Sequence, residues 1–367
     1  MTSTEIQLPA ARTEGPDGGR ADALAERLVA ATIGALEMYS VHLGRELGLY
    51  PLLAEAPRTA GELAEAAGIA PRYAREWLEQ QAVAGILDVV GTGAPADRRR
   101  FVLPTGHRPV LVEAEHPAHV GPLADMLAGI GGVVPRLPAA YRSGGGVPYA
   151  DYGSAFRRGQ AGINRPMYVN DLADWVAAMP DVAARLGRPD ARVADLGCGE
   201  GWSTIALARA FPAARVEGYD SDPASVRAAG RNAADLPNPP GFTAADGLPS
   251  GGRYDLVCLF EALHDLARPV EVLTAARAAL TPGGVLLVAD EAVAEEFCAP
   301  GDDVERFMYG WSVTHCLPAS LADTPSAGLG TVLRPGTVAA LARDAGFTGV
   351  TVLPVENDFF RFYRLDR

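Results

Sequence analysis

The sequence predicts a doubly wound parallel α/β sheet preceded by a smaller, mostly helical domain, and three observations carry that prediction. Through the C-terminal half, short Val/Leu-rich runs alternate with amphipathic stretches, the pattern of strands and crossover helices in an α/β sheet. The first of those runs, "VADLG", ends in an acidic residue and opens into a glycine-rich turn, "CGEGWSTIALARA", whose apolar residues then recur at helical spacing. The N-terminal part shows helical periodicity with a single candidate hairpin.

Taken in order, "MTSTEIQLPAARTEGPDGGR" (1–20) lacks the apolar core of a signal peptide and reads as a disordered leader. From Ala21 to about Glu55, Leu24, Leu28, Ile33, Leu36 and Tyr39 form an apolar helical stripe. "TAGELAEAAGIAPRYAREWLEQQAVAGILDVV" then reads as helix, turn, helix and strand, with Thr59 and Glu62 at capping-box spacing and Pro71 suited to a first helical turn. "ILDVV" and "RRRFVLP" flank a Gly/Pro/Asp loop as a hairpin would. This is a winged-helix pattern over residues 21–115. A DNA-reading module presents net positive charge, yet these residues hold nine arginines against thirteen acids. A dimerisation or substrate-covering module is the expectation, with no nucleic-acid partner.

Residues 116–165 form a helical linker region with a break at "SGGGVP". "PMYVNDLADWVAAM", from Pro166, is an amphipathic helix leading into the second domain, 166–367. After it "ARVADLG", "ARVEGYD", "GFTAAD", "YDLVCLF" and "GGVLLVAD" alternate with helical stretches, a Rossmann-like arrangement.

Composition removes whole classes of chemistry. The net charge of -13 disfavours a phosphate backbone or an anionic membrane surface as partner. All 32 basic residues are arginine, so Schiff-base catalysis and P-loop phosphate binding, which need lysine, drop out. Cys198, Cys258, Cys298 and Cys316 lack disulfide or zinc-ligand spacing, which fits a reducing cytoplasm. No apolar run reaches membrane-spanning length.

Asp195, Gly197, Gly199 and Gly201 spell D-x-G-x-G-x-G between a buried strand and a helix. Glycines there let the backbone approach a ligand, and a helix start offers free N–H groups. In the dinucleotide fingerprint the third glycine falls one residue later; here Trp202 takes that place and Asp195 precedes the turn, where a carboxylate suits a ligand carrying positive charge. Asp220, ending the second strand, stands where a ribose hydroxyl pair is bound, and Asp246 follows the third strand, where it could accept from an adenine amino group.

At these residues the chain resembles the class I S-adenosylmethionine-dependent methyltransferases. The resemblance implies that Asp195 and the glycines surround the methionine part of the cofactor, Asp220 the ribose, and Ala245 with Asp246 the adenine; Phe260, ending the fourth strand, is a further candidate for the cofactor site. It continues through "YDLVCLFEALHDLARPVEVLTAARAALTPGGVLLVADE", and "VTVLPVENDFFRFYRLDR" supplies the two strands that a seven-stranded sheet with an antiparallel last strand requires. From about residue 21 the chain is similar to bacterial small-molecule methyltransferases with an N-terminal winged-helix domain, and "YGWSVTHCLPASLADTPSAGLGT" resembles an insertion found in one branch of them.

Methyl transfer from a sulfonium is an in-line displacement that needs an aligned nucleophile and, for some acceptors, a base. His264 in "FEALHDLARP" is the leading base, because plant-type O-methyltransferases carry their catalytic histidine in a matching "LHDW" motif; Leu266 replaces the tryptophan here. The alternative is that His264 and Asp265 cap the next helix. Glu261, one helical turn earlier, would orient His264 or bind a substrate amine, and His315 is the second catalytic candidate. Tyr168, Tyr309 and Trp311 are candidate substrate contacts. Asp290 and Glu291, ending the fifth strand, could bind substrate; without a supporting ligand pattern no metal is expected there.

The expectation is an S-adenosylmethionine-dependent methyltransferase acting on a small metabolite at oxygen, nitrogen or electron-rich carbon, as a cytoplasmic homodimer. Its rivals are a ligand-sensing winged-helix regulator, a nicotinamide oxidoreductase and a non-methylating enzyme that uses the same cofactor.

Overall fold

The computed structural model describes residues 18–367 except 92, 250 and 252. The expected leader therefore lies outside the described residues as far as residue 17, and residues 18–20 form the first turn of a helix. The chain divides into two compact units, one ending at Glu113 and one beginning at Ala114.

The first unit holds α1 (Gly18–Glu46), α2 (Leu49–Glu55), α3 (Ala60–Ala67), α4 (Pro71–Val83), β1 (Asp88–Val90), β2 (Arg100–Val102) and the short α5 (Arg108–Leu111). The single helical run read from the sequence is divided by Gly48, which takes the left-handed conformation (φ 65°) that only glycine adopts cheaply. Thr59 and Glu62 form the predicted reciprocal capping box, and Pro71 opens α4. The β1–β2 hairpin pairs Asp88 with Val102. Leu53, Leu63, Leu78 and Phe101 fill the core, where the buried Tyr50 hydroxyl donates to Gln81 Oε1 at 2.6 Å. The arginines of α4 are spent on its own acids: Arg72 pairs with Glu76, and Arg75 with Glu79 at 3.2 Å.

The second unit begins with α6 (Leu123–Val133), α7 (Leu137–Ser143) and α8 (Gly153–Ala177). Proline at a first helical turn is a common start signal, which is why the sequence suggests Pro166 as the beginning of α8; the helix starts thirteen residues earlier and carries Pro166 in its interior. The missing N–H and ring clash cost about 3 kcal/mol, offset by packing on both sides of the proline. Phe156 is buried before it and Leu172, Trp175 and Val176 after it. Gly129 and Gly159 let α6 and α8 approach: a Cβ on Gly129 would lie 2.6 Å from Phe156 Cβ, and one on Gly159 would lie 2.7 Å from the Met126 backbone nitrogen.

Then follow α9 (Pro180–Leu186), β3 (Arg192–Leu196), α10 (Trp202–Ala210), β4 (Arg215–Asp220), α11 (Pro223–Asn232), β5 (Gly241–Ala244), β6 (Tyr254–Phe260), α12 (Pro269–Ala279), β7 (Leu280–Glu291), α13 (Asp303–Trp311), α14 (Leu317–Ser320), α15 (Pro335–Asp344), β8 (Gly349–Val352) and β9 (Phe360–Asp366). The sheet order is β5-β4-β3-β6-β7-β9-β8, parallel from β5 to β7, with β9 antiparallel to both β7 and β8. Residues along the central strands alternate between two cores, as a pleat of period two requires. Val193, Leu256, Cys258 and Leu287 pack with α8 and α9, while Ala194, Val257, Leu259 and Leu286 pack with α12 and α15. The strand order reverses between β3 and β6, and ligands of such sheets bind in the crevice at the carboxyl ends of the strands beside that point.

Candidate active site

Two cavities open at this crevice. The first, 360 Å³, is bounded by the β3–α10 turn (Gly197, Gly199), Asp220, Ala245, Asp246 and Phe260. The second, 620 Å³, is mostly apolar, with Met126, Phe156, Ile163, Met167, Phe307 and Trp311 in its wall. Gln160, Asn164 and Glu261 line both.

The glycines of the turn do different jobs. All three take positive φ, at 74°, 52° and 86°. At Gly199 an added Cβ would meet nothing within 4 Å. At Gly201 it would lie 2.8 Å from Ala229 Cβ and from the Phe242 ring, so this glycine serves packing of the turn and does not line the cavity, contrary to the sequence expectation. Asp195 also lies outside the cavity wall: it is buried at the end of β3, and its Oδ2 accepts from Ser203 Oγ and Thr204 Oγ1, both at 2.6 Å. Burial raises its pKa to about 6 against the opposing pull of those two hydroxyls. It fastens the first turn of α10 to the sheet. Asp220 does face the cavity, and holds the turn from the other side, with Oδ2 accepting the Gly199 N–H and Oδ1 the Asp222 N–H, each at 2.8 Å. Tyr168 lines this first cavity and packs on Phe260, with ring centroids 5.9 Å apart, so it belongs with the cofactor side and not with the substrate contacts expected of it.

Of the other substrate candidates, Trp311 lines the second cavity, as does Phe307 one helical turn before it. Tyr309 does not: two residues from Phe307 is some 200° around a helix, and its hydroxyl lies 3.5 Å from Arg334 Nη2.

His264 lies in a short helical turn after β6 and lines the second cavity. Neither it nor Asp265 caps the following helix, whose N-cap is Arg268 without a side-chain bond. Three carboxylates surround the buried ring. Nδ1 bonds Asp290 Oδ1 at 2.9 Å; Glu291 Oε2 lies 3.1 Å from the same nitrogen without a hydrogen bond, and Asp265 Oδ1 lies 3.4 Å from Nε2. Burial opposes a charge on the ring, but Glu291, Asp290 and Asp265 together overturn it and hold the His264 pKa well above the usual value. Burial and the neighbouring Asp290 charge push the Glu291 carboxyl up against the pull of His264, while at Asp290 burial is overcome by the His264 charge together with hydrogen bonds from Glu291 and His264, which lower its pKa. His315 is the opposite case. It stacks on Phe156 at 4.1 Å, burial pushes its pKa down to about 3, and its Nε2 has no partner. Its place in a π-helical segment, Ser312–Cys316, turns it into the Tyr149/Tyr152/Phe156 cluster.

The absence of a metal-ligand pattern expected from the sequence does not carry over to three dimensions. His264 with Asp265 and Cys316, and His264 with Asp290 and Glu291, each bring ligand atoms within 4.8 Å of one another. Within these two groups Asp265 Oδ1, Asp290 Oδ2 and Glu291 Oε2 are buried without hydrogen-bond partners. That donor set could hold a divalent cation.

Residues 168–352 match the model of the methyltransferase domain, half of the chain, and residues 34–112 match that of an Rv2258c-like winged helix-turn-helix domain. The chain belongs to the methyltransferase family. Its cofactor is S-adenosylmethionine, and the first cavity is the one whose wall suits a close-approaching polar ligand: the side of Gly199 is open, and the Asp220 and Asp246 carboxylates line it. The chain is 43% identical over 101 residues to a trans-aconitate 2-methyltransferase of Deinococcus radiodurans, a stretch covering 28% of this chain and 38% of that relative's length. Among solved structures, an O-methyltransferase family protein from Burkholderia thailandensis superposes with a TM-score of 0.67 at 20% identity, over 93% of this chain and 97% of its own. Human N-acetylserotonin methyltransferase, solved with S-adenosylmethionine, gives 0.66 at 18% identity over 94% and 97%. These two show the shared fold.

Sequence reasoning missed Gln160 and Asn164, which join the two cavities, and Phe156, Ile163 and His119 in the second. They come from α8 and the segment before α6, where no motif marks them. The one available signal was the polar pair Gln160 and Asn164, four residues apart and so on one face of the helix.

Proposed function

We propose that this methyltransferase acts on a hydroxyl of a small, largely apolar metabolite bound in the second cavity, in specialised metabolism. The observation that carries this reading is the junction: a glycine-walled cavity with acidic acceptors meets a larger apolar one along Gln160, Asn164 and Glu261. No arginine lines the second cavity among the described residues, while Glu261, Glu291 and Asp303 do. A polycarboxylate such as trans-aconitate is therefore disfavoured there, and a neutral hydroxylated ring is favoured.

When bound, S-adenosylmethionine supplies an electrophilic methyl on a positively charged sulfur. The chain's part is to hold the acceptor in line and remove its proton. Asp220 and the turn around Gly199 hold the donor side; Phe156, Ile163 and Trp311 bound the acceptor side. The sequence made His264 the base, but an imidazolium already carrying its proton cannot take another. In the cavity wall it favours an ionised acceptor oxygen instead. A second reading is favoured by the three unpartnered buried carboxylate oxygens around His264: a divalent cation held by His264 and its neighbours would polarise the acceptor oxygen in place of the imidazolium.

The exposed stripe of Leu24, Leu28, Leu36 and Leu43 on α1 supports a homodimer through the first unit, and light scattering should return twice the mass of one chain. The acid-paired arginines of α4 support a module that does not bind nucleic acid, and four free cysteines support a reducing, cytoplasmic setting.

Incubation with labelled S-adenosylmethionine and a panel of hydroxylated aromatics and polycarboxylates tests the reading. Label on aromatic hydroxyls supports it; label on the polycarboxylates alone overturns it.

A further inference from the structure

We propose that Glu261, and not His264, is the group that takes the proton from the acceptor hydroxyl, through its Oε1 atom. The inference rests on the reading of the second cavity as the acceptor site and deepens it by assigning the base.

Position is the first argument. Of the titratable side chains after β6, Glu261 alone lines both cavities, so it stands where a hydroxyl must sit to meet the methyl donor. Backbone is the second. Glu261 is the one non-glycine residue with positive φ (50°) among the described residues, a conformation costing about 1 to 2 kcal/mol for an L-residue. Its N–H is tied to Ala289 O at 2.8 Å, so the turn that aims the side chain is fastened to β7. Bonding is the third. Oε2 accepts from Asn164 Nδ2 at 3.0 Å, which fixes the carboxylate on α8, while Oε1 is buried with no partner. A buried acceptor left open at the junction of two ligand cavities is a place for a ligand's O–H.

The groups facing Glu261 are Asn164 and Tyr168 from α8, His264 and Asp265 from the turn after β6, and Asp290 from β7. Burial dominates, against the Asn164 hydrogen bond and the His264 charge, and Asp290 and Asp265 add to it, so the Glu261 pKa is pushed up to about 7. A base with that value is matched to neutral working pH. His315 also lines the second cavity with an open nitrogen, but it does not reach the first, and burial makes it a weak base. In the step itself the acceptor's O–H bond breaks, its electron pair stays on the oxygen, and the proton joins a lone pair of Oε1 to give a neutral carboxylic acid still held by Asn164.

The test is Glu261→Gln, which preserves size and the link to Asn164 by an amide flip. With S-adenosylmethionine as donor, phenol and the more acidic 4-nitrophenol serve as acceptors. Turnover of phenol should fall by about 10² to 10⁴ while that of 4-nitrophenol, largely ionised already, falls far less, and S-adenosylhomocysteine affinity should stay within about threefold. The wild-type rate should rise with pH through about 7, where the carboxylate form appears, and the variant should lose that limb. Infrared difference spectra give a readout that needs no turnover: a carboxylic-acid band titrating near neutral pH in wild type, absent from Glu261→Gln. Equal losses on both acceptors, or no such band, overturn the assignment. Failure of wild type to methylate either phenol, with the band present, instead counts against the hydroxyl acceptor and leaves Glu261 as the group that titrates at the junction.

Discussion

Removing the Asp220 carboxylate separates what the cofactor site needs from what the fold needs. In the structure Asp220 accepts two backbone N–H groups at 2.8 Å, from Gly199 and Asp222, and still faces the first cavity. A bound ribose would present two hydroxyls to the same carboxylate. Hydrogen bonds to a charged acceptor contribute about 1.5 to 3 kcal/mol each, less what water returns to an open site. Asp220→Ala should therefore weaken S-adenosylhomocysteine binding by about 2 to 4 kcal/mol, roughly 30- to 700-fold in Kd. Stability of the unliganded protein should fall by about 1 to 3 kcal/mol, because two N–H groups lose their acceptor but border a cavity that water can fill. Titration calorimetry gives the first number and thermal unfolding the second. The ligand's stabilising effect, which follows the ratio of its concentration to Kd, should shrink in parallel. A folded Asp220→Ala protein whose Kd lies within threefold of wild type would refute the reasoning and take Asp220 out of the binding site.

Two other expectations come from buried charge. His264 should carry protons on both ring nitrogens at neutral pH, and nitrogen NMR of labelled protein should show an imidazolium that Asp290→Asn shifts toward the neutral form; an unprotonated Nε2 in wild type that responds to a chelator would instead favour the bound cation. Asp195, raised from 3.8 to about 6, binds its proton more tightly folded than unfolded, so its contribution declines as pH rises from about 4 through 6, by about 3 kcal/mol in all. Asp195→Asn should remove that decline, and chemical denaturation at a series of pH values measures it; an identical pH dependence in the variant would count against it.

What the chain order of residues determined was the periodic part of the protein. The alternation of buried strand and amphipathic helix, the capping box at Thr59, the hairpin at β1 and β2 and the antiparallel pair β8 and β9 are local patterns, each written in neighbouring residues. The glycine turn and Asp220 were legible for the same reason: a tight turn after a buried strand and an acid ending the next one occupy fixed places in a doubly wound sheet. The helix that forms the wall between the cavities was less legible, since Pro166 looks like a beginning and only packing against α6 carries the helix through it.

What the tertiary structure decided was charge and direction. Asp195 and Asp220 both end strands beside the same turn, yet one is directed into the first turn of α10 and the other into the cavity. His264 looks like a base in a line of text because the acids that change its protonation, Asp290 and Glu291, arrive from β7, 26 and 27 residues later and through a parallel strand pairing. Glu261 looks subordinate to it, yet a left-handed backbone, a bond from Asn164 ninety-seven residues away and an oxygen left without a partner set it at the meeting of the two cavities. Residue types can be read singly, but a pKa depends on every charge within a few ångströms and on how much water is excluded, and both are properties of the packed chain.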